Sequence, residues 1–164
     1  MARYSATWST VTAAALADTT NATDATYPGV LRGGGASILG KINEVYMGGE
    51  DTASTPTAFS LARTSTISTG SLTVGNNALM DVQATAPGTT YNFGNTVATT
   101  KPQRSSTLYL LPLSFNTFGG ITRWQARMGE EITMFGNANN AGEVILSAKT
   151  GTGKTSGHII YEVV

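Results

Sequence analysis

Alternation of polar and apolar side chains is clearest in the second half of the chain, and it predicts β-strands. Residues 121–128 place two sets of side chains on opposite faces, Thr122, Trp124, Ala126 and Met128 against Arg123, Gln125 and Arg127. A period of two is typical of a half-buried strand. Gly129 then allows a turn, and residues 132–135 predict a second strand that pairs back on the first as a hairpin.

Strand patterns recur along the rest of the chain, at residues 37–47, 57–64, 108–113, 143–148 and 158–164. Gly40 marks a possible bulge in the first of these. Pro112 removes a ladder donor, so it indicates an edge or a bulge near the end of its strand. Short strands separated by turns favour a sandwich or jelly roll. We therefore predict an all-β fold, a single jelly-roll-like antiparallel β-sandwich with an extended N-terminal arm.

The first 35 residues are predicted to form an N-terminal strand and flexible arm that is only partly integrated into the sheet, and residues 36–164 the sandwich. Arg3 to Trp8 alternate like a strand, with Tyr4 and Trp8 on one side. These aromatic residues either close the core or anchor a neighbouring molecule. Residues 17–28 are rich in loop-forming Thr, Asn and Asp, and the glycines at 33–35 predict a flexible joint.

A long uncharged segment lies in the middle of the chain, where Asp81 is the one charged residue between Thr64 and Thr100. Structureless loops of such length are uncommon in compact domains, so we expect short strands here or a segment that lies against something. Its candidate anchors are Leu72, Val74, Leu79, Met80 and Val82. A low-complexity loop is the alternative.

Composition excludes several classes of protein. The 164 residues suit one domain with a real core. There is no Cys, and only 12% of residues are charged, roughly half the usual share. Ten basic and ten acidic residues cancel without a basic cluster, so no nucleic acid is expected as a partner. We find no signal peptide and no apolar run that would span a membrane, and expect a soluble product.

Two features of the sequence imitate cofactor or metal sites, but their surroundings do not support that chemistry. Residues 148–155, AKTGTGKT, imitate a phosphate-binding loop, but the following SGHIIYEVV alternates like a strand and supplies no helix N-terminus. His158 is the one histidine, too few for a histidine metal cage, and reads as an ordinary strand residue. We predict no cofactor and no metal.

A glycosidase pair would need two facing carboxylates. Glu130 and Glu131 could join one of four others, namely Glu44, Glu50, Asp51 or Glu143. Adjacent carboxylates at a hairpin tip point opposite ways, however, and are typical of a solvated turn. No nucleophile with a base at a recognisable spacing is present. We predict that the protein is not an enzyme, and no catalytic residues are assigned.

The row Arg123, Gln125 and Arg127 has two interpretations of equal weight. It is either a solvent face paired across the sheet to Glu130 or Glu162, or an interface stripe, because Arg is enriched where proteins meet.

The segment RWQARMGEEI, residues 123–132, resembles a strand-turn-strand segment of small β-rich virion proteins of tailed bacteriophages. Three other stretches look similar: KINEVYMGGEDTAST followed by LARTST, KPQRSSTLYLLPLSFN, and SGHIIYEVV. Together they span roughly residues 37–164 and mark sandwich geometry, without catalytic residues to transfer.

The resemblance implies a capsid cement or decoration protein that binds the major capsid protein, often as a trimer, in virions assembled in the host cytoplasm. We expect intersubunit contacts from Arg3, Tyr4 and Trp8 of the arm and from Arg123 and Arg127. Deleting residues 2–32 should then leave a folded core that no longer coats capsids. The alternative is a tail, fibre or adhesion module that binds a host receptor or glycan.

Overall fold

The computed structural model shows two antiparallel β-sheets packed against each other. It describes residues 29–33, 39–68, 72–74, 80, 91–96, 102–136, 138, 141–150 and 154–164. Every regular element within these ranges is a strand, which confirms the predicted all-β antiparallel sandwich. They contain no helix of the length and hydropathy needed to cross a bilayer.

The described strands are, in chain order, β1 (Gly29–Gly33), β2 (Leu39–Glu50), β3 (Pro56–Thr66), β4 (Leu72–Val74), β5 (Tyr91–Thr96), β6 (Gln103–Asn116), β7 (Phe118–Gln125), β8 (Ile132–Phe135), β9 (Glu143–Thr150) and β10 (Thr155–Val163). The first sheet has six strands in the order β4-β5-β1-β9-β3-β6. In the second sheet β10 and β7 flank β2, and β8 also pairs with β2. The chain changes sheet after β1, β2, β6, β8 and β9, so successive strands often lie in opposite layers.

The predicted hairpin between β7 and β8 is wrong. Both strands pair antiparallel with β2, β7 with its second half and β8 with its first half, so they lie end to end along one edge. Residues 126–131 loop outward between them, with Gly129 at φ 75°. Ala126 N–H donates to the Asn43 carbonyl at 2.8 Å just before the loop leaves the sheet. The turn residues were identified correctly, but the following strand continues along β2 instead of folding back.

A bulge in β2 lies at Asn43 and not at the predicted Gly40. Ile160 of β10 pairs with Glu44 and the next residue, Tyr161, pairs with Ile42, so Asn43 is an extra residue. An extra residue reverses the inward and outward alternation of the strand beyond it. Ile42 and Val45 therefore both face the core, where each is fully buried.

The core lies between the sheets and is built from alternate residues of their inner faces. Its buried members are Leu31, Ile42, Val45, Met47, Phe59, Leu61, Leu113, Met134, Val144, Leu146 and Ala148. Trp124, which the sequence placed on the inner face of its strand, packs against this cluster. Alternation thus predicted correctly which face of β7 is buried.

Pro112 lies in β6, which forms one edge of the six-stranded sheet, so the predicted edge position is confirmed. Its missing N–H is tolerated there because one side of an edge strand has no ladder to complete.

A buried threonine fixes the corner where the chain passes from β6 to β7. Thr117 N–H donates to the Thr55 carbonyl at 3.0 Å, and its own carbonyl accepts from Asp51 N–H at 2.9 Å. Gly49 is required beside it, because a Cβ there would lie 2.2 Å from the Thr117 carbonyl oxygen. The corner leaves Phe118 exposed at the start of β7.

The end of the predicted arm belongs to the sheet. β1 is hydrogen-bonded between β5 and β9, and Val30 and Leu31 are fully buried on its two faces. A deletion of residues 2–32 would therefore remove most of an internal strand. Residues 1–28, with Arg3, Tyr4 and Trp8, lie outside the described residues, and their part of the arm stays a prediction.

The uncharged segment contains the short strands that were expected, because β4 and β5 both lie within it. Met80, however, is 82% exposed and does not anchor the segment. Leu79 and Val82 fall outside the described ranges.

Leu31→Ala tests whether β1 is integral to the fold. We expect a loss of about 2–5 kcal/mol in the free energy of unfolding, because the change empties a fully buried site. Urea denaturation measures it. The control Met128→Ala, at a side chain that is 98% exposed, should change stability by less than about 0.5 kcal/mol. Equal effects of the two substitutions would contradict the place of β1 in the sheet.

Candidate functional site

Only some of the predicted interface residues can be placed. Arg123 lies on β7 and is exposed on the outer face of the four-stranded sheet, and Arg127 is exposed in the 126–131 loop beyond the strand. The arm residues Arg3, Tyr4 and Trp8 lie outside the described part of the chain. Arg123 and the side chains around it therefore form the candidate site.

Glu44 of β2 joins the three strands of this face through its carboxylate. Its Oε2 lies 2.7 Å from an Arg123 guanidinium nitrogen of β7, and its Oε1 lies 2.9 Å from His158 Nε2 of β10. The register explains the cluster, since Arg123 and His158 both pair with Tyr46, two residues along from Glu44. The predicted partners of Arg123 were wrong: Glu44 takes that place, and Glu162 pairs with Lys41 at 3.3 Å.

The hydrogen bonds of the cluster stabilise its charges. The Arg123 hydrogen bond, followed by that of His158, lowers the pKa of Glu44 below the ordinary 4.5, and burial opposes the shift. The same hydrogen bond raises the pKa of Arg123. Glu44 is only 6% exposed because neighbouring side chains cover it at the surface of the sheet. Its two partners are about half exposed, at 53% for Arg123 and 51% for His158.

An aromatic pair extends the cluster along the sheet. The rings of Tyr46 and His158 stack with centroids 5.2 Å apart and an interplanar angle of 14°. Gly48 leaves room beside them, since a Cβ there would lie 3.5 Å from the Tyr46 hydroxyl and 3.8 Å from Ile121 Cγ2. Ile121, Tyr46, His158 and Arg123 thus form one continuous surface.

Exposed apolar side chains follow the edge formed by β7, the 126–131 loop and β8. They are Phe118 at 63%, Ile121 at 67%, Met128 at 98% and Phe135 at 52%. Arg123 and Arg127 lie on this same edge. Single exposed apolar residues are ordinary, but Phe, Met and Arg are residue types that are enriched at protein interfaces. We refer to these six residues as the β7–β8 stripe.

The carboxylates considered for hydrolysis do not gather at one place. Glu131 accepts a hydrogen bond from Gly129 N–H at 2.8 Å and so stabilises its own turn. Glu143 belongs to the other sheet, where it is fully buried and accepts hydrogen bonds from the N–H and hydroxyl of Ser68. Burial raises the pKa of Glu143, while Ser68 and then Arg32 oppose the shift. Its contacts tie the end of β3 to β9, which is a structural role.

The remaining motifs have structural explanations too. Residues 148–155 run from the end of β9 to the first residue of β10, so a strand follows them where a phosphate-binding loop needs a helix. A cleft of about 70 Å³ lies at the start of β10, lined by Met47, Leu146 and residues 155–159 among others. Small-molecule sites usually measure about 300–1,000 Å³.

Comparison with protein-family models, curated proteins and solved structures finds no match for this chain.

Sequence reasoning missed Glu44, Tyr46 and His158 as a group. One signal was present in the sequence. Ile42 and Val45 are three residues apart, whereas residues on one face of a regular strand are separated by an even number, so the spacing indicates an extra residue between them. With that extra residue, Glu44 lies on the outer face. His158 lies 114 positions further along, and only the register of β10 on β2 brings it to Glu44.

Glu44→Gln tests the electrostatic role of the cluster. Because the folded protein lowers the pKa of Glu44, its ionised form stabilises the fold fully above about pH 4.5, and this contribution disappears as the pH falls through the lowered pKa. The wild type should be more stable than the variant at pH 6, and the difference should shrink below about pH 4.5. Urea denaturation at successive pH values measures it.

Glu50→Gln, at the exposed end of the same strand, is the matched control because it removes one carboxylate that lies outside the cluster. A stability difference between wild type and Glu44→Gln that stays constant down to about pH 2.5 would contradict the assignment.

Proposed function

We propose that this chain is a bacteriophage virion structural protein of the capsid cement or decoration kind, which binds the major capsid shell and stabilises it through non-covalent contacts. The resemblance over roughly residues 37–164 motivates the proposal. The observation that carries it is the β7–β8 stripe, an exposed row of apolar and arginine side chains along one edge of the four-stranded sheet and the 126–131 loop. Such a surface suits adhesion to another protein.

The Glu44 cluster holds the Arg123 side chain in one position before a partner binds. Its guanidinium is half exposed, yet one nitrogen is held 2.7 Å from the Glu44 carboxylate, so the side chain has less conformational freedom to lose on binding. Arg is also among the residues that dominate binding energy at interfaces. A partner would therefore meet an ordered cation flanked by Ile121 and Tyr46.

The proposed mechanism is thermodynamic. A protein that binds only the assembled shell stabilises it by mass action, and symmetric attachment at several points multiplies a modest affinity. The trimer implied by the resemblance would supply such attachment. No covalent step is required.

A tail, fibre or host-surface adhesion module is the second candidate. The stacked Tyr46 and His158 rings favour it, because they form a partly exposed aromatic surface beside a shallow cleft. Immunogold labelling of intact virions discriminates between the two, since label on heads supports cement and label on tails supports adhesion.

Ile121→Asp combined with Arg123→Ala should weaken binding to capsids by roughly a hundredfold, because the pair removes an apolar contact and an interface arginine. Co-sedimentation with shells of the same phage, purified without this protein, measures the affinity. The matched control Thr107→Asp adds a carboxylate at an exposed position of the other sheet and should bind like the wild type. Equal binding by all three proteins would reject the stripe as the capsid contact.

Removing residues 2–28 tests the predicted arm without touching β1. We expect a cooperatively folded protein that binds capsids much more weakly, because Arg3, Tyr4 and Trp8 would be lost. Thermal denaturation reports the fold and co-sedimentation reports the binding. Unchanged saturation of the shells would show that the arm makes no such contact.

A further inference from the structure

The side chain of Arg63 crosses from one sheet to the other. Arg63 lies on β3 of the six-stranded sheet, opposite Val144 of β9. Its Nη2 donates to the Thr133 carbonyl of β8 at 2.7 Å, and its Nη1 donates to the Ala141 carbonyl at 3.3 Å. Arg63 is partly buried, but its hydrogen bond to Thr133 lies at the surface. This end of the guanidinium can therefore be reached from outside.

Arg63 has no carboxylate partner among the described residues. Glu44 and Glu162 pair with cations elsewhere. Glu143 pairs one residue away from Arg63 and so faces the other side of the sheet, where its carboxylate accepts from Ser68. Burial lowers the pKa of Arg63, and none of the described carboxylates raises it. The cation is thus partly removed from water without an ionic partner in the described part of the chain.

The two carbonyl contacts account for N–H donors of Arg63 but not for its charge. A neutral amide side chain also donates hydrogen bonds to carbonyls. Burying a charge without an opposite charge costs free energy. A guanidinium presents a planar fork of N–H donors that matches a carboxylate, and the carbonyls of Thr133 and Ala141 occupy only part of it. Arg63 is therefore suited to a carboxylate that another molecule supplies.

The guanidinium lies directly beside the β7–β8 stripe. The Ala141 carbonyl that accepts from Arg63 also accepts from the backbone N–H of Phe135 at 3.1 Å. Phe135 is one of the exposed apolar residues of the stripe. Thr133, whose carbonyl accepts from Nη2, is exposed two residues earlier on the same strand. A protein that covers Phe135 would therefore reach Arg63 as well.

We infer that Arg63 binds an aspartate or glutamate carboxylate of the protein that covers the β7–β8 stripe. This inference rests on the proposed function, in which that protein is the major capsid protein. The contact supplies the opposite charge that Arg63 lacks in the described chain. Its carbonyl hydrogen bonds limit the conformational freedom that the side chain loses on binding. A charge pair enclosed in an interface also helps to select the partner.

Arg63→Gln tests the contact when it is combined with shells whose carboxylates have been neutralised. Shells of the same phage, purified without this protein, are treated with a carbodiimide and glycine amide, which converts accessible carboxylates into neutral amides. On untreated shells Arg63→Gln should bind at least about tenfold more weakly than the wild type in co-sedimentation. On treated shells the two proteins should bind within about threefold of each other, because the carboxylate that distinguishes them is gone.

Lys154→Gln is the matched control, because it removes the same charge at the other end of β2. Lys154 is exposed and its carbonyl accepts from Glu50 N–H, whereas Phe135 pairs with Leu39. This variant should bind untreated shells like the wild type. Arg63→Lys keeps the charge but not the fork, so its affinity for untreated shells should be intermediate.

The comparison of the two kinds of shell separates a binding role of Arg63 from a structural one. Partial unfolding of Arg63→Gln would weaken binding to both kinds by the same factor. Equal weakening on treated and untreated shells, or an unchanged affinity of Arg63→Gln for untreated shells, would overturn the inference and leave the proposed function in place. A wild type that does not bind untreated shells would overturn both.

Discussion

The register of β2 is the constraint on which the rest of this structure depends. β2 is the shared partner of β10, β7 and β8, so its alternation decides what each of them presents inward and outward. Asn43 adds one residue and reverses the phase halfway along the strand. Without that bulge, Ile42 and Glu44 would share a face, and either a core residue would be exposed or a carboxylate would enter the core.

The outer face of β2 carries few charged side chains that lack a partner of opposite charge. Only 12% of the residues in the chain are charged. On the outer face of this sheet, Glu44 is paired with Arg123 and Lys41 with Glu162. A partner that covers the face would therefore bury few uncompensated charges, and unpaired buried charges are what makes polar interfaces costly.

Much of the fold could be predicted because alternation reports burial one strand at a time. It predicted strands that overlap β2, β3 and β6 to β10, and the buried face that holds Trp124, but it missed β1. It could not give strand partners, since β8 alternates identically whether it pairs with β7 or with β2. How far the arm enters the sheet was hard to predict for a related reason: the glycines at 33–35 suggested a joint, whereas adjacent apolar Val30 and Leu31 indicated a strand buried on both faces. The Glu44–His158 contact was unpredictable because it depends on long-range register.

The β7–β8 stripe and β10 lie on opposite edges of one sheet, with β2 between them. The Glu44 carboxylate of β2 connects these edges, because it contacts Arg123 of β7 and His158 of β10. The position of Arg123 on the outer face therefore depends on the register of both neighbouring strands on β2. A one-residue slip of β7 would turn Arg123 inward and Trp124 outward, so the same register that completes the core also presents the cation to a partner.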